Sequence, residues 1–509
     1  MSEAQADEDP AAPGSGRRER RSAGSRDGRA RSEEQSQSDE QARSEGCAPL
    51  SAGSLRRPRM AAAVAAAVLF AALGAVLAVT TPWDPLPGPV PGGHAEPDPA
   101  LDFSPAEIAR SRAFDAALTP PAYAGLVTGL ALILVLGLTP LGARFIGLVT
   151  GGARRPHPSS GNAPRRGLRH WAPRVLIATA ALTVLLRVAG LPFGIWRETV
   201  LRRYGLSTQS WPEWLVDQLK SLGVTYVVYA VALLLLYAVV RRFPRYWWTG
   251  AAAGGFLLVI LVSFVYPIAV EPVFNRFHSL QEGPLRTSLL AMAERDGVPV
   301  EDVLVADASR RTTSLNAYVS GFGSTRRIVL YDTLLKSPPA RVESIVGHEL
   351  GHAKRNDVLW GTLVGALGVA GAMCLLHLLM TSPRLLRRAG VDPGGPPGRR
   401  SGAGAADPRS VALVLALVAA GTQISAPVQN LVSRRIEARA DVHALNLTRD
   451  PATFVSMQHE LSVRNISDLS PDPVERLLWS SHPAGPERIA MARDWARAHG
   501  TPEPPPLRD

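Results

Sequence analysis

Seven stretches of this chain are long, apolar and almost uncharged: residues 61–80, 122–142, 175–196, 223–240, 247–270, 358–380 and 411–430. About 20 apolar residues in a helix cross the hydrocarbon core of a bilayer. Inside that core the backbone must satisfy its own hydrogen bonds, which a helix does without outside partners. The pattern predicts a mainly α-helical, multi-pass integral membrane protein with about seven transmembrane helices. The first stretch is long for a signal-peptide core and sits far from the N-terminus, so it is expected to remain as a span.

The chain carries 55 Lys+Arg against 44 Asp+Glu, a formal net charge of +11. In a soluble protein that excess would suggest nucleic acid. Here the arginines flank the apolar stretches, as in Arg56-Arg57-Pro58-Arg59 and Arg241-Arg242. Arginines so placed set topology and meet anionic lipid, so the expected partner is the bilayer and not nucleic acid. The basic charge is nearly all arginine, the lysines being Lys220, Lys336 and Lys354. That bias, with abundant Ala, Gly and Pro, suggests a GC-rich bacterial source and hence a bacterial plasma membrane. The two cysteines, Cys47 and Cys374, have no cysteine neighbour at metal-ligand spacing and exclude a disulfide framework.

Residues 1–60 form a polar tail too poor in apolar side chains to fold. Residues 61–270 hold five spans, 358–430 hold two more around a Pro/Gly/Arg-rich loop at 381–408, and 431–509 form a C-terminal region. Arg187 falls inside the third span, where it either faces protein or a water-filled cavity or snorkels to the interface. The seventh span turns polar (Thr422, Gln423, Ser425, Gln429, Asn430), which suits a cavity wall better than a lipid face. Seven spans put the N-terminus on one face with the loops 143–170, 241–246 and 381–408, which carry Arg154, Arg155, Arg165, Arg166, Arg384, Arg387 and Arg388. The positive-inside rule makes that face cytoplasmic.

Residues 271–357 have ordinary soluble composition. A helical stretch, Pro284 to Arg295, is followed by the strand-like Val303-Leu304-Val305. Leu315 to Ser320 and Ile328 to Tyr331 flank Gly321-Phe322-Gly323 and predict a hairpin. Ser337 is expected to cap a helix with Pro338 in its first turn, and that helix is expected to run unbroken into the sixth span.

On this helix lies His348-Glu349-Leu350-Gly351-His352. Histidines four residues apart share one helix face and can reach one ion, and the glutamate between them can polarise a water. Zinc brings the pKa of a bound water down to about 7, which suits Glu349 as a general base. A third protein ligand is required. The metzincin arrangement would need Gly at 355 and His at 358, where the chain has Arg355 and Val358. The remaining candidate is a carboxylate after the seventh span, which returns to the face where the sixth began. Glu437 is then the third ligand, and Asp441, one turn on, would hold the free nitrogen of a ligand histidine. Alternatively, both are solvated carboxylates paired with neighbouring arginines, and spacing leaves the two readings open.

His348 to His352 together with Glu437-Ala438-Arg439-Ala440-Asp441 resembles the CAAX prenyl endopeptidases of the M48 metallopeptidase group. Asn316-Ala317-Tyr318, the run Arg327 to Leu335, Glu271 to Phe277, Ala106 to Phe114 and His482-Pro483 with Arg488-Ile489 extend the resemblance over roughly residues 61–490. It implies a helical membrane domain around a water-filled chamber, capped by a small α/β zinc-peptidase domain of gluzincin type. It implies one zinc held by His348, His352 and Glu437, with Glu349 as base. Asn316 and Tyr318 would belong to an edge strand that binds the substrate backbone. His482 would stabilise the tetrahedral oxyanion, and Arg488 would lie near the substrate. The implied function is zinc-dependent endoproteolysis of membrane-associated or C-terminal CAAX-like proteins. The alternatives are quality control of membrane proteins and, from a different class, a receptor or transporter without catalysis. Eukaryotic members present the zinc domain to the cytosol, whereas the charge rule places it outside for this chain.

Overall fold

A computed structural model describes residues 56–151, 171–321, 323–391 and 404–508. The polar tail expected over 1–60 falls outside them up to residue 55, as does the middle of the 381–408 loop. The long helices are α1 (Arg56–Thr80), α2 (Pro105–Leu138), α3 (Trp171–Arg203), α4 (Trp211–Arg242) and α5 (Trp247–Val265). A π-helical turn (Tyr266–Val270) and a short helix extend α5, so the apolar span reaches Phe274. After α6 (Pro284–Arg295) and α7 (Pro339–Arg355) come α8 (Asp357–Met380), α9 (Val411–Thr448), α10 (Pro451–Asn465) and α11 (Gly485–Ala498). Among the described residues seven helices are long and apolar enough to cross a membrane, matching the seven expected stretches in order.

Most spans run past their apolar windows. α2 and α4 begin in capping boxes, in which Ser104 with Glu107 and Ser210 with Glu213 satisfy the first backbone donors. The second span ends at Leu138 rather than 142, because Thr139 caps a new short helix, Pro140–Val149. Neighbouring helices pack in the order α8, α5, α4, α3, α2, α9, and α9 returns to α8, while α1 lies outside against α8. Arg187 donates to the Gln218 carbonyl at 3.3 Å, so it is spent on protein. Gly137 permits the tightest of these contacts. A Cβ there would sit 2.3 Å from Ala416 Cβ and 2.7 Å from the Ala412 carbonyl oxygen.

One end of the ring is closed by both ends of the 381–408 segment, which the sequence had left without structure. Pro383–Arg388 is helical, Tyr237 Oη meets Ser410 Oγ at 2.6 Å, and Arg241 donates to the Ala406 carbonyl at 3.1 Å. At the other end sits a four-stranded sheet of β1 (Phe277–Ser279), β2 (Asp302–Ala306), β3 (Ala317–Ser320) and β4 (Arg327–Tyr331). Its order is β1-β2-β4-β3, with β2 and β4 parallel and the rest antiparallel. β3 and β4 form the expected hairpin. Gly321 has φ +92°, and a Cβ there would lie 2.4 Å from the Thr325 carbonyl oxygen. One sheet face (Val303, Ala317, Ile328, Leu330) packs on Val342, Ile345, Val346 and Leu350 of α7. The Arg311–Asp217 pair ties this layer to α4, and the buried Asp102–Arg493 pair holds α11 to the segment that precedes α2.

Two local expectations fail. Ser337 does not cap α7: Pro338 holds that position, and Ser337 Oγ donates to Glu460 at 2.8 Å. Nor does α7 run on into the sixth span, because Asn356 adopts a left-handed conformation (φ +55°) and α8 starts afresh at Asp357. Asparagine tolerates that conformation better than other residues with a side chain.

At Gly137 the obstacles are the backbone and a Cβ, which cannot rotate aside. Gly137→Leu should lower stability by about 1–3 kcal/mol through overpacking. Gly129→Leu, on the same helix and with open space around it, should be close to neutral. Thermal unfolding of both purified variants, followed by tryptophan fluorescence, checks the contrast.

Candidate active site

The site lies where α7 crosses α9. Gly347 and Gly351 face α9, and a Cβ on Gly351 would already touch His443 at 3.0 Å. This close approach lets a side chain of α9 reach the histidines of α7. His348 Nε2 and His352 Nε2 are 3.1 Å apart. Glu437 Oε2 lies 3.2 Å from the first and Oε1 3.6 Å from the second. Glu437 Oε2 is buried and has no hydrogen-bond partner. Ligands bound at about 2.0–2.1 Å to a tetrahedral ion sit roughly 3.3 Å from one another, so the three donor atoms fit one cation. Glu349, between the histidines in sequence, is largely buried.

Each histidine is gripped from behind. His348 Nδ1 donates to Asp441 at 2.8 Å, and Asp441, fully buried, is held by Arg488 through Nε at 2.8 Å and through Nη2. His352 Nδ1 donates to Asp357 at 2.9 Å, and Arg439 donates to the other oxygen of Asp357 at 2.5 Å. The result is two Arg–Asp–His chains converging on one point. The sequence reading anticipated Asp441 but missed Asp357 and Arg439. In an unbroken helix residue 357 would project about 140° away from His352; the turn at Asn356 brings it back. The one signal available was that asparagine, a residue that often ends helices.

These carboxylates dictate the protonation of the metal-free site. Burial disfavours a proton on His352, but Asp357 and then Glu437 outweigh it and hold its pKa at about 10. For His348 burial is likewise outweighed, chiefly by Asp441, and its pKa is also raised. Burial lifts Glu349 above the usual carboxylate range against the pull of both histidines.

His482 stands at the rim, Nε2 lying 3.3 Å from Glu437 Oε2, with a side chain 60% exposed. Arg434 on α9 fixes its loop by donating to the Arg476 and Ser480 carbonyls, each at 2.6 Å. Asn316 precedes the edge strand β3. Its carbonyl accepts from Tyr331 N at 3.0 Å while its side chain is exposed. Tyr318, on β3, stands beside Glu271 at the end of the fifth span. The structure thus gathers His348, Glu349, His352, Glu437, Asp441, His482 and Arg488 in one place, and sets Tyr318 on, and Asn316 just before, a strand that packs against α7.

Residues 279–496 match the model of peptidase family M48, and residues 127–276 match that of the CAAX prenyl protease N-terminal region with five membrane helices. An uncharacterized metalloprotease of Bacillus subtilis is 28% identical over 61% of this chain and 71% of its own. The CAAX prenyl protease 1 of Saccharomyces cerevisiae is 25% identical over 60% of this chain and 69% of its own. The crystal structure of S. mikatae Ste24p has the same fold, with a TM-score of 0.66 at 20% identity over 86% of this chain and 99% of that one. Two consecutive family models that change over just before the sheet, and together run from residue 127 to residue 496, leave one assignment. The chain belongs to peptidase family M48, in its CAAX prenyl protease group, and is a metallopeptidase embedded in a membrane.

Proposed function

We propose that this chain is a zinc endopeptidase in which His348, His352 and Glu437 hold the ion and Glu349 is the general base. The observation that carries the reading is the convergence of three donor atoms, one of them buried without a partner, beside a largely buried glutamate. Two imidazoles and a carboxylate form the donor set of catalytic zinc sites that keep a fourth position open. Zinc would supply Lewis acidity there, acidifying a water and polarising the scissile carbonyl. Glu349 Oε would take the water's proton and pass it to the leaving amine, and its raised pKa brings it closer to neutral working conditions. His482, exposed at the rim, would donate to the oxyanion. Arg488 and Asp441 would fix the ring of His348, as Arg439 and Asp357 would fix that of His352.

The substrate would pair with the open edge of β3 near Asn316 and Tyr318, extended so that backbone bonds give affinity and alternate side chains give selectivity. Membrane-associated proteins, or proteins cut near a CAAX-like C-terminus, are the substrates this reading favours. The enzyme would sit in a bacterial plasma membrane with the arginine-rich face, marked by Arg59, Arg144, Arg241 and Arg384, toward the cytoplasm and the site outside. A phosphatase reporter joined after the C-terminus should then be active and a fluorescent-protein reporter dark; the opposite pattern turns the site inward.

Purified protein should carry one zinc. Glu349→Ala should keep it and lose cleavage of a quenched peptide by about 10²–10⁴-fold, whereas Glu437→Ala should lose both metal and cleavage. Asp357→Asn should weaken zinc binding about 10–100-fold by chelator competition. A native chain without zinc, or a Glu349→Ala variant that still cleaves, ends the proposal. Because the raised pKa of His352 keeps its imidazole protonated below about pH 10 in the metal-free protein, zinc must displace protons to bind. Adding zinc to the stripped protein at pH 7–8 should release protons into a weak buffer, and apparent affinity should climb with pH.

A further inference from the structure

The face of β3 turned away from α7 carries Tyr318, which stands opposite Val329 in the hairpin register. Beside it opens a cavity of about 680 Å³ between the strand and three membrane helices. Its walls include Val228 on α4, Leu258 and Val262 on α5, and Val358 and Gly361 on α8. Two pairs of polar groups at its boundary face each other. Ser263 Oγ and Thr362 Oγ1 bond across the α5–α8 contact at 2.8 Å, and the Tyr318 hydroxyl is engaged by Glu271. What the cavity offers an occupant is therefore apolar wall. Gly361 leaves it roomy, since a Cβ there would meet nothing within 4 Å.

The strand and the cavity are continuous, because Tyr318, Val319, Ser320 and Gly321 are part of the lining. β3 is the last strand of the sheet, so its outer edge has no strand partner among the described residues. A peptide added there would point its side chains alternately to the two faces. One set meets the side that packs on α7. The other set enters the cavity.

We propose that this cavity is a specificity pocket for a large apolar side chain, of the phenylalanine or leucine class, carried by a substrate residue paired on β3. The proposal rests on the endopeptidase reading above and adds a selectivity to it. Filling an apolar pocket with such a side chain in place of alanine is worth about 10–100-fold in kcat/KM.

The test uses the full chain in nanodiscs and quenched peptides that place Phe, Leu, Ala or S-alkylated Cys at each position around the cleaved bond. The native enzyme should prefer Phe or Leu over Ala by about 10–100-fold at one position. Gly361→Phe should remove that preference while leaving cleavage of the alanine peptide within about twofold, as expected for a change that touches no catalytic group. Val262→Trp, on the opposite wall, should do the same, so the test survives if either variant folds poorly. An unchanged preference in both variants overturns the pocket. So does an effect confined to the S-alkylated peptide, which would assign the cavity to a lipid chain. A native enzyme that cleaves none of the peptides overturns the endopeptidase reading itself, a result distinct from either.

Discussion

Where α7 crosses α9, two glycines leave the helices almost in backbone contact, and the chemistry depends on that closeness. A glutamate side chain reaches only a few ångströms from its helix. Glu437 meets His348 and His352 because Gly347 and Gly351 add no bulk between the helix axes. The membrane part of the fold serves the same crossing. α8 leaves the site and α9 returns to it, and the start of α9 is held at the far end by the contacts that Tyr237 and Arg241 of α4 make with Ser410 and Ala406. Gly137 then locks α9 against α2, so the returning helix arrives in one position.

The polar groups behind the site follow from the cost of burying charge. A carboxylate taken out of water needs partners that replace its hydration. Asp441 and Asp357 each have two, an arginine and a histidine, so each buried anion is neutralised along a short chain that ends on a ring nitrogen. The arrangement also fixes the tautomer: with Nδ1 donating to a carboxylate, Nε2 is left to face the place where the donor atoms converge. Glu437 differs, having one buried oxygen without a hydrogen bond.

Much of this was legible in the sequence, for reasons that differ by element. The spans were readable because the bilayer imposes length and apolarity on them directly. His348, Glu349 and His352 were readable because helical periodicity fixes their mutual placement. The convergence of Glu437 on them was readable because two successive spans must come back to the same side. Asp357 was not, since it depends on a single left-handed residue, Asn356, and asparagine permits that conformation without requiring it. Ser337 failed as a cap for a similar reason: Glu460, more than a hundred residues away, takes its hydroxyl. The folded ends of the 381–408 segment were illegible because they are shaped by the helices they cover. Arg439 looked like a solvated neighbour of Glu437 until the break at Asn356 gave it Asp357.

α9 runs 38 residues, from the far face of the bundle to the end beyond Glu437. At 1.5 Å per residue, about 40 Å of helix separates its start from the ligand position, so a tilt of only two degrees would swing the glutamate by about 1.4 Å. Such a shift would draw the carboxylate away from the two histidines. Pro427 lies inside this helix, ten residues before Glu437. It cannot donate to the carbonyl one turn back, and the rod is weakest there. Mechanically, Pro427 divides α9 into a membrane-side arm, residues 411–426, and a site-side arm, residues 428–448. A bend at this joint would leave the site-side arm, packed against α7, where it is, and with it the carboxylate of Glu437.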